Sequence, residues 1–141
     1  MYGVGYDGAG TGNEILYEIN KKTGKSKMIG DTNIHLLMDL AFDLADTLYG
    51  TANDTTLWTI DTSSGASTLY GSIEGILDGN VMGIMFDPND ILHVLHATVY
   101  TATSPLYVVD LSASPFKATI VGYPELYFPH GGDFGCPPAK K

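Results

Sequence analysis

Cysteine is almost absent from this 141-residue sequence, since Cys136 is its single copy. One cysteine can form neither an internal disulfide nor a cysteine-based zinc site, so Cys136 is a free thiol or an intermolecular bridge. Basic residues are scarce as well, with seven against sixteen acidic residues and a net charge of −9. The sequence therefore has no Lys/Arg patch to neutralise phosphates, which argues against a nucleic-acid partner.

Long apolar segments are also missing. No run of eighteen apolar residues occurs, so the sequence predicts no membrane span. The first ten residues, MYGVGYDGAG, lack the basic and apolar regions of a secretory leader. The abundance of Thr, Ser, Tyr and Gly nevertheless favours an extracellular or cell-surface location, where Asn53, in the Asn-Asp-Thr pattern, would be a glycosylation candidate.

What the sequence does contain is typical of a sheet protein. Hydrophobic residues make up 44% of the chain and charged residues 16%, a balance that predicts a folded core. Seventeen glycines and nine tyrosines, with many Thr and Ser, favour short strands joined by tight turns. The length suits a single domain.

The sequence repeats itself in four short signatures. An apolar run ends in Phe-Asp, a second run has the form LYGT, a third reads Leu-aromatic-x-x-Asn/Asp, and a fourth ends in glycine. The copies lie at 38–43, 81–87 and 130–135 for the first signature, 1–4, 48–51 and 92–95 for the second, 16–20, 57–61 and 106–110 for the third, and 27–30, 68–71 and 119–122 for the fourth.

Each copy therefore holds four apolar runs in about forty-five residues, and the period-two patterning predicts a four-stranded antiparallel meander. The approximate units are 1–37, 38–81 and 82–129, with a closing strand at 130–135. A glycine four residues after the Asn/Asp suits a left-handed turn position in the first two copies. Pro115 replaces this arrangement in the third copy, where we expect a different hairpin.

The motif order LAFD, LYGT, LWTID, TLYG resembles the NHL- and YVTN-like repeats of bacterial β-propellers. The resemblance covers nearly the whole chain. It implies an all-β fold of β-propeller-like blades, each a four-stranded antiparallel meander with the Phe-Asp strand innermost, and about three blades per chain. It also implies a C-terminal clasp strand, residues 130–135, which would complete the first blade.

An arc of three such blades would leave strand edges and apolar faces exposed, and exposed edges pair with other chains. We therefore expect a homo-oligomer: a two-fold dimer that closes a six-bladed ring, or a head-to-tail filament. The remaining alternative is that these residues are a piece of a longer propeller.

Ligands of propellers bind around the channel mouth, at the loops between the second and third strands and between successive blades. The loops between successive blades are expected at 31–38, 72–81 and 123–130. The ligand or metal candidates at the channel mouth are His35, Asp39, Asp78, Asn80, Tyr127, His130 and Asp133. A metal would need His35 and His130 to converge with a carboxylate, but no paired histidine spacing supports this. We therefore expect no cofactor, with calcium as the alternative. The DPND segment at 87–90 lacks the glycine of a calcium loop and predicts a turn.

No catalytic set stands out, because the chain has no Gly-x-Ser-x-Gly elbow and Cys136 has no evident histidine partner. We expect a non-catalytic binding or structural module that self-associates through its terminal blades. One alternative is a fragment of a propeller enzyme, such as a lactonase-like hydrolase or lyase with a channel metal. Another is a carbohydrate-binding lectin that uses loop aromatics. The aromatic residues of the third signature are expected to pack between blades instead: Tyr17, Trp58 and Tyr107.

Overall fold

The computed structural model describes residues 1–6, 12–52, 54–77, 80–97 and 104–124, and these ranges contain strands and no helix. A helix able to cross a membrane is accordingly not found among them. The strands are β1 (Tyr2–Tyr6), β2 (Asn13–Ile19), β3 (Ser26–His35), β4 (Leu37–Phe42), β5 (Leu48–Ala52), β6 (Thr56–Ile60), β7 (Ser67–Glu74), β8 (Asn80–Phe86), β9 (Leu92–Ala97), β10 (Leu106–Asp110) and β11 (Phe116–Gly122).

The strands form three antiparallel meanders in chain order. The first meander is β1-β2-β3, the second is β4-β5-β6-β7, and the third is β8-β9-β10-β11. The second and third join at their outer strands, where β7 and β11 pair in parallel through Ile73 with Phe116 and Glu74 with Lys117. The predicted all-β class is thus confirmed.

The same irregularity occurs in all three meanders. A shift of register follows the leucine of the Leu-aromatic signature, and this leucine pairs with the glycine that ends the next strand: Leu16 with Gly30, Leu57 with Gly71, and Leu106 with Gly122. A β-bulge of this kind bends and twists the strand that carries it. Its recurrence shows that the sequence repeat is a structural repeat.

The turns after the Leu-aromatic signature are built by its final Asn or Asp. The Asn20 Oδ1 atom accepts from the Lys22 N–H at 2.9 Å, and the Asp61 Oδ1 atom accepts from the Ser63 and Ser64 N–H groups at 2.8 Å. The predicted left-handed glycines are confirmed, since Gly24 has φ 70° and Gly65 has φ 82°. The third turn differs as expected and contains a cis peptide bond between Ser114 and Pro115.

Asp61 makes stability depend on pH. Hydrogen bonds from the Ser63 hydroxyl and from the Ser64 and Ser63 N–H groups lower the pKa of Asp61 to about 2, below the value near 3.9 of an unfolded chain. The stability it contributes is therefore present above about pH 4 and is lost as the pH falls towards 2. Urea denaturation at pH 2, 3, 4 and 6 should show a smaller acid loss in Asp61→Asn, which keeps the acceptor oxygen. Equal acid losses in the two proteins would contradict this.

Two apolar cores separate the three meanders. The first core lies between the first and second meanders and is formed by Leu16, Ile34, Leu37, Leu48, Ala52 and Ile60. The second core lies between the second and third meanders and is formed by Tyr49, Leu57, Ile73, Val81, Ile84, Leu92, Val94, Tyr107, Val109 and Phe116. The second meander is therefore apolar on both faces, as a sheet between two neighbours must be.

The connections between meanders are shorter than the sequence suggested. Residues 31–38 were expected to form a loop, but β3 continues to His35 and β4 begins at Leu37. Ile34 and Leu37 are both buried in the first core, which favours extended chain on either side of the corner. Leu36 makes the corner alone, with a left-handed φ of 53°. The expected loop at 72–81 is shortened in the same way, because β7 extends to Glu74 and β8 begins at Asn80.

Candidate functional site

Three polar side chains meet at one end of the first meander. Tyr6 ends β1, Glu14 lies near the start of β2 and His35 ends β3, and antiparallel pairing brings these positions to the same sheet end. The register places Tyr6 opposite Glu14, and Asn13 opposite His35. We call Tyr6, Glu14 and His35 the β1–β3 polar cluster.

Glu14 is the buried member of this cluster, with 6% of its surface exposed, whereas Tyr6 and His35 are exposed. Burial raises the pKa of the Glu14 carboxyl, and a hydrogen bond from the Tyr6 hydroxyl and the electrostatic interaction with His35 oppose this rise. A carboxyl group that is partly desolvated but still contacts polar groups is suited to a role in binding or proton exchange.

The imidazole of His35 has a defined orientation. Its Nδ1 atom lies 2.5 Å from the carbonyl oxygen of Gly12, so Nδ1 carries the proton and donates it to this acceptor. This hydrogen bond leaves Nε2 as the nitrogen that can accept a proton from a ligand.

The backbone around the cluster is held by further hydrogen bonds. The Thr32 hydroxyl is buried and donates to the Glu14 carbonyl oxygen at 2.7 Å. The Asn13 amide donates to the Asp31 carboxylate at 3.3 Å, and the same carboxylate accepts from the Asn33 N–H at 2.7 Å. These contacts tie the start of β2 to the end of β3, so Glu14 and His35 project from paired strands and not from a free loop.

Asp39, a predicted ligand residue, has a different role. It lies on β4, is half-buried, and its Oδ2 atom accepts a hydrogen bond from the Ile84 N–H at 3.0 Å. Burial raises the pKa of Asp39, and hydrogen bonds from the Ile84 and Leu40 N–H groups oppose the rise. The carboxylate thus joins the innermost strands of the second and third meanders.

The other predicted site residues are distributed as follows. Asn80 is exposed at the start of β8 and pairs with Ala97. The candidates that lie outside the described residues are Asp78, Tyr127, His130, Asp133 and the glycosylation candidate Asn53. Within the part of the chain that the structure describes, no three His, Cys, Asp or Glu side chains come close enough to hold a metal ion.

The DPND segment agrees with its sequence interpretation, and the two histidines of β9 lie in different surroundings. The His93 Nε2 atom lies 3.7 Å from the Asp87 carboxylate, whereas His96 is fully buried against the Tyr107 ring, at 6.2 Å between ring centres. The DPND segment forms the predicted turn, because the Asp87 Oδ1 atom accepts from the Asn89 and Ile91 N–H groups at 2.8 and 2.9 Å.

A cleft of about 580 Å³ opens among β1, β4, β5 and β8. Most of its lining residues have apolar side chains, and the lining comprises Met1, Tyr2, Lys21, Leu40, Ala41, Phe42, Leu48, Ile84, Met85 and Phe86. The rings of Tyr2 and Phe42 are 5.8 Å apart at its edge. Lys21 is the charged member of the lining, so the cleft offers no acid–base pair, and the β1–β3 polar cluster is the stronger candidate for chemistry.

Comparison with known proteins identifies the type of fold but does not assign the chain to a family. No protein-family model and no curated protein matches this sequence. Among solved structures, the PQQ-bound aldose sugar dehydrogenase of Streptomyces coelicolor aligns with a TM-score of 0.54 and 14% identity, over 70% of this chain and 33% of that one. The chain has a propeller-like fold. The NHL/YVTN type remains a prediction.

A second structure aligns over a similar region. The putative oxidoreductase (glucose dehydrogenase) of Thermus thermophilus gives a TM-score of 0.49 and 10% identity, over 71% of this chain and 32% of that one. The present chain therefore spans about one third of the length of the solved structures that it matches.

The first of these comparisons corrects the cofactor expectation. We expected no cofactor, with calcium as the alternative, whereas the aligned dehydrogenase is described with PQQ bound. That quinone carries carboxylates, which proteins bind best with Arg or Lys. The described lysines lie in and beside the β2–β3 turn, at 21, 22, 25 and 27, and at 117, near the start of β11. None belongs to the β1–β3 polar cluster, so the residues described there do not fit this anion.

Proposed function

We propose that this chain is part of a propeller-type enzyme that acts on a sugar or a similarly hydroxylated small molecule at the β1–β3 polar cluster. The observation that carries the proposal is the buried Glu14 carboxyl, whose pKa is raised, in contact with the Tyr6 hydroxyl and near His35. Titratable groups that are perturbed by burial and by specific partners are concentrated at functional sites.

Each member of the cluster has a chemical role in this proposal. The Glu14 carboxylate accepts a hydrogen bond from a ligand hydroxyl, and the Tyr6 hydroxyl holds that carboxylate in place. His35, fixed by its Nδ1 contact with Gly12, presents Nε2 to a second ligand hydroxyl. The exposed Tyr6 ring offers an apolar surface beside these polar groups, the combination that small-molecule sites use.

The structural comparison supports a sugar as the substrate class in this proposal. The aligned structure from Streptomyces coelicolor is described as an aldose sugar dehydrogenase, and sugars are ligands that carboxylate and imidazole groups recognise through hydroxyl hydrogen bonds. The likeness extends to the fold, and the cluster residues provide the separate chemical argument.

Saturation-transfer NMR with D-glucose, D-galactose and D-xylose tests the proposal. At least one sugar should receive saturation from the wild-type protein, and Glu14→Gln should weaken its affinity tenfold or more, because a hydrogen bond to a charged group is worth about 1.5–3 kcal/mol. Glu18→Gln is the matched control, since Glu18 lies on the same strand but is exposed, and it should bind as the wild type does. No saturation of any of these sugars, or equal affinities of wild type and Glu14→Gln, would contradict the proposal.

A further inference from the structure

The glycine that ends each of the first two meanders is a contact point for the next meander. Gly30 lies against the β6–β7 turn, where a side chain on Gly30 would collide with the Ser64 carbonyl group. The contact is reciprocal, because a Cβ atom on Gly65 would lie 2.7 Å from the Gly30 carbonyl oxygen. Gly71 is closed in the same way by the Phe116 ring of the third meander. Glycine is required at these positions because two backbones, or a backbone and a ring, touch there.

The same two glycine positions, at the strand end and in the turn, occur again in the third and first meanders. There, neither glycine contacts another described meander. Gly122 is the equivalent of Gly30 in the third meander, and a Cβ atom built on it meets no described atom within 4 Å. Gly24 is the equivalent of Gly65 in the β2–β3 turn, and it is equally open. The third meander thus has an uncovered strand-end glycine, Gly122, and the first meander has an uncovered turn that contains Gly24.

Apolar side chains near these glycines are also more exposed than their equivalents in the other meanders. Met1 occupies the position that Leu48 and Leu92 occupy in the other meanders, since all three begin the LYGT-type signature. Leu48 is 2% exposed and Leu92 is fully buried, whereas Met1 is 58% exposed. At the other end, Val121 precedes Gly122 and is 58% exposed, whereas its equivalent Tyr70 is 45% exposed and contacts the Phe116 ring of the third meander.

We propose that the outer face of the third meander binds the outer face of the first meander of a second copy of this chain, head to tail. Gly122 of one copy would then receive the β2–β3 turn, with Gly24, of the other copy. The second copy is the occupant that the structure favours because this sequence already makes the same contact at the junction of its first and second meanders, through Gly30 and Gly65.

Ring closure is compatible with this contact. Two copies supply six meanders, and propellers close with about four to eight. Since each junction between meanders buries one apolar core, a two-copy ring would add two further cores of the same kind. The inference is independent of the sugar-directed function, because Glu14 and His35 take no part in it.

Sedimentation equilibrium of the full chain tests the proposal. The wild type should show a mass of two or more 15.1 kDa chains at micromolar concentration. Gly122→Val and Val121→Asp should both return the mass to that of one chain. Their circular dichroism should not change, since a Cβ atom on Gly122 meets no described atom and Val121 is exposed among the described residues. Ala45→Val adds an apolar side chain to an exposed turn of the second meander and should associate as the wild type does.

Two results would overturn the proposal. The first is a wild-type mass of 15.1 kDa up to about millimolar concentration, which corresponds to a dissociation constant too weak for a specific assembly. The second is association that persists unchanged in Gly122→Val, which would place the contact elsewhere on the surface. A larger species that also dissociates in Gly122→Val supports the same head-to-tail contact.

Discussion

Replacing Leu57 with alanine should lower the free energy of unfolding by about 2–5 kcal/mol, the range measured for buried leucines. Leu57 has 0% exposure and lies in the second core, where the second meander packs on the third. It also pairs with Gly71 at the repeated bulge, so the surrounding backbone is held by strand hydrogen bonds and cannot easily close around a cavity. The loss therefore includes the transfer free energy of the side chain and the cost of the cavity.

Urea denaturation followed by circular dichroism measures this effect. Leu69→Ala is the matched control, because Leu69 lies on the adjacent strand β7 and is 54% exposed. The same change there should alter the unfolding free energy by about 0.5 kcal/mol or less. Similar losses in the two variants would show that Leu57 is not part of a core between meanders.

Local patterns of this sequence were sufficient to predict its meanders. Alternation in the Leu-aromatic signature and the Asn/Asp-to-Gly spacing depend on residues close in the chain, and both appear in the structure as the bulged strands and the Asn20 and Asp61 turns. The Phe-Asp turn was predicted for the same reason, since the Asp87 side chain binds the N–H groups of its own turn.

The candidate site was predicted less well because it depends on which residues are buried. Asp39 was expected at a channel mouth, but its carboxylate binds the Ile84 N–H, a residue forty-five positions away. Glu14 was not considered, although a glutamate among apolar residues at the start of a strand was a signal of a buried carboxyl. Its contacts with Tyr6 and His35 come from pairing across β1, β2 and β3, which short-range patterns do not specify.

The repeated glycines also show which features depend on local sequence and which depend on tertiary packing. The sequence marks Gly30, Gly71 and Gly122 alike, as the ends of equivalent strands. In the structure Gly30 and Gly71 contact the following meander, whereas Gly122 has no described neighbour within 4 Å of a Cβ position. The sequence pattern therefore identifies the glycine positions at which meanders can touch. Only the packing of the meanders shows at which of these positions a neighbouring meander is in contact.

Replacing Gly30 with valine should destabilise the fold by about 3 kcal/mol or more, at the upper end of the range for overpacked sites. A side chain there meets the Ser64 carbonyl group, and backbone cannot rotate away as the end of a flexible side chain can. The β6–β7 turn would have to move from the first meander, and this movement would open the first core around Leu16 and Ile60.

Gly122→Val is the matched control for this prediction, because it makes the same substitution at the same repeat position with no described atom within 4 Å. In protein dilute enough to be dissociated, its unfolding free energy should stay within about 0.5 kcal/mol of the wild type. The difference between the unfolding free energies of the two variants therefore reports the clash with the neighbouring turn, because the intrinsic cost of valine in the strand is common to both. Equal effects would mean that the Gly30 contact with Ser64 and Gly65 contributes nothing to holding the first two meanders together.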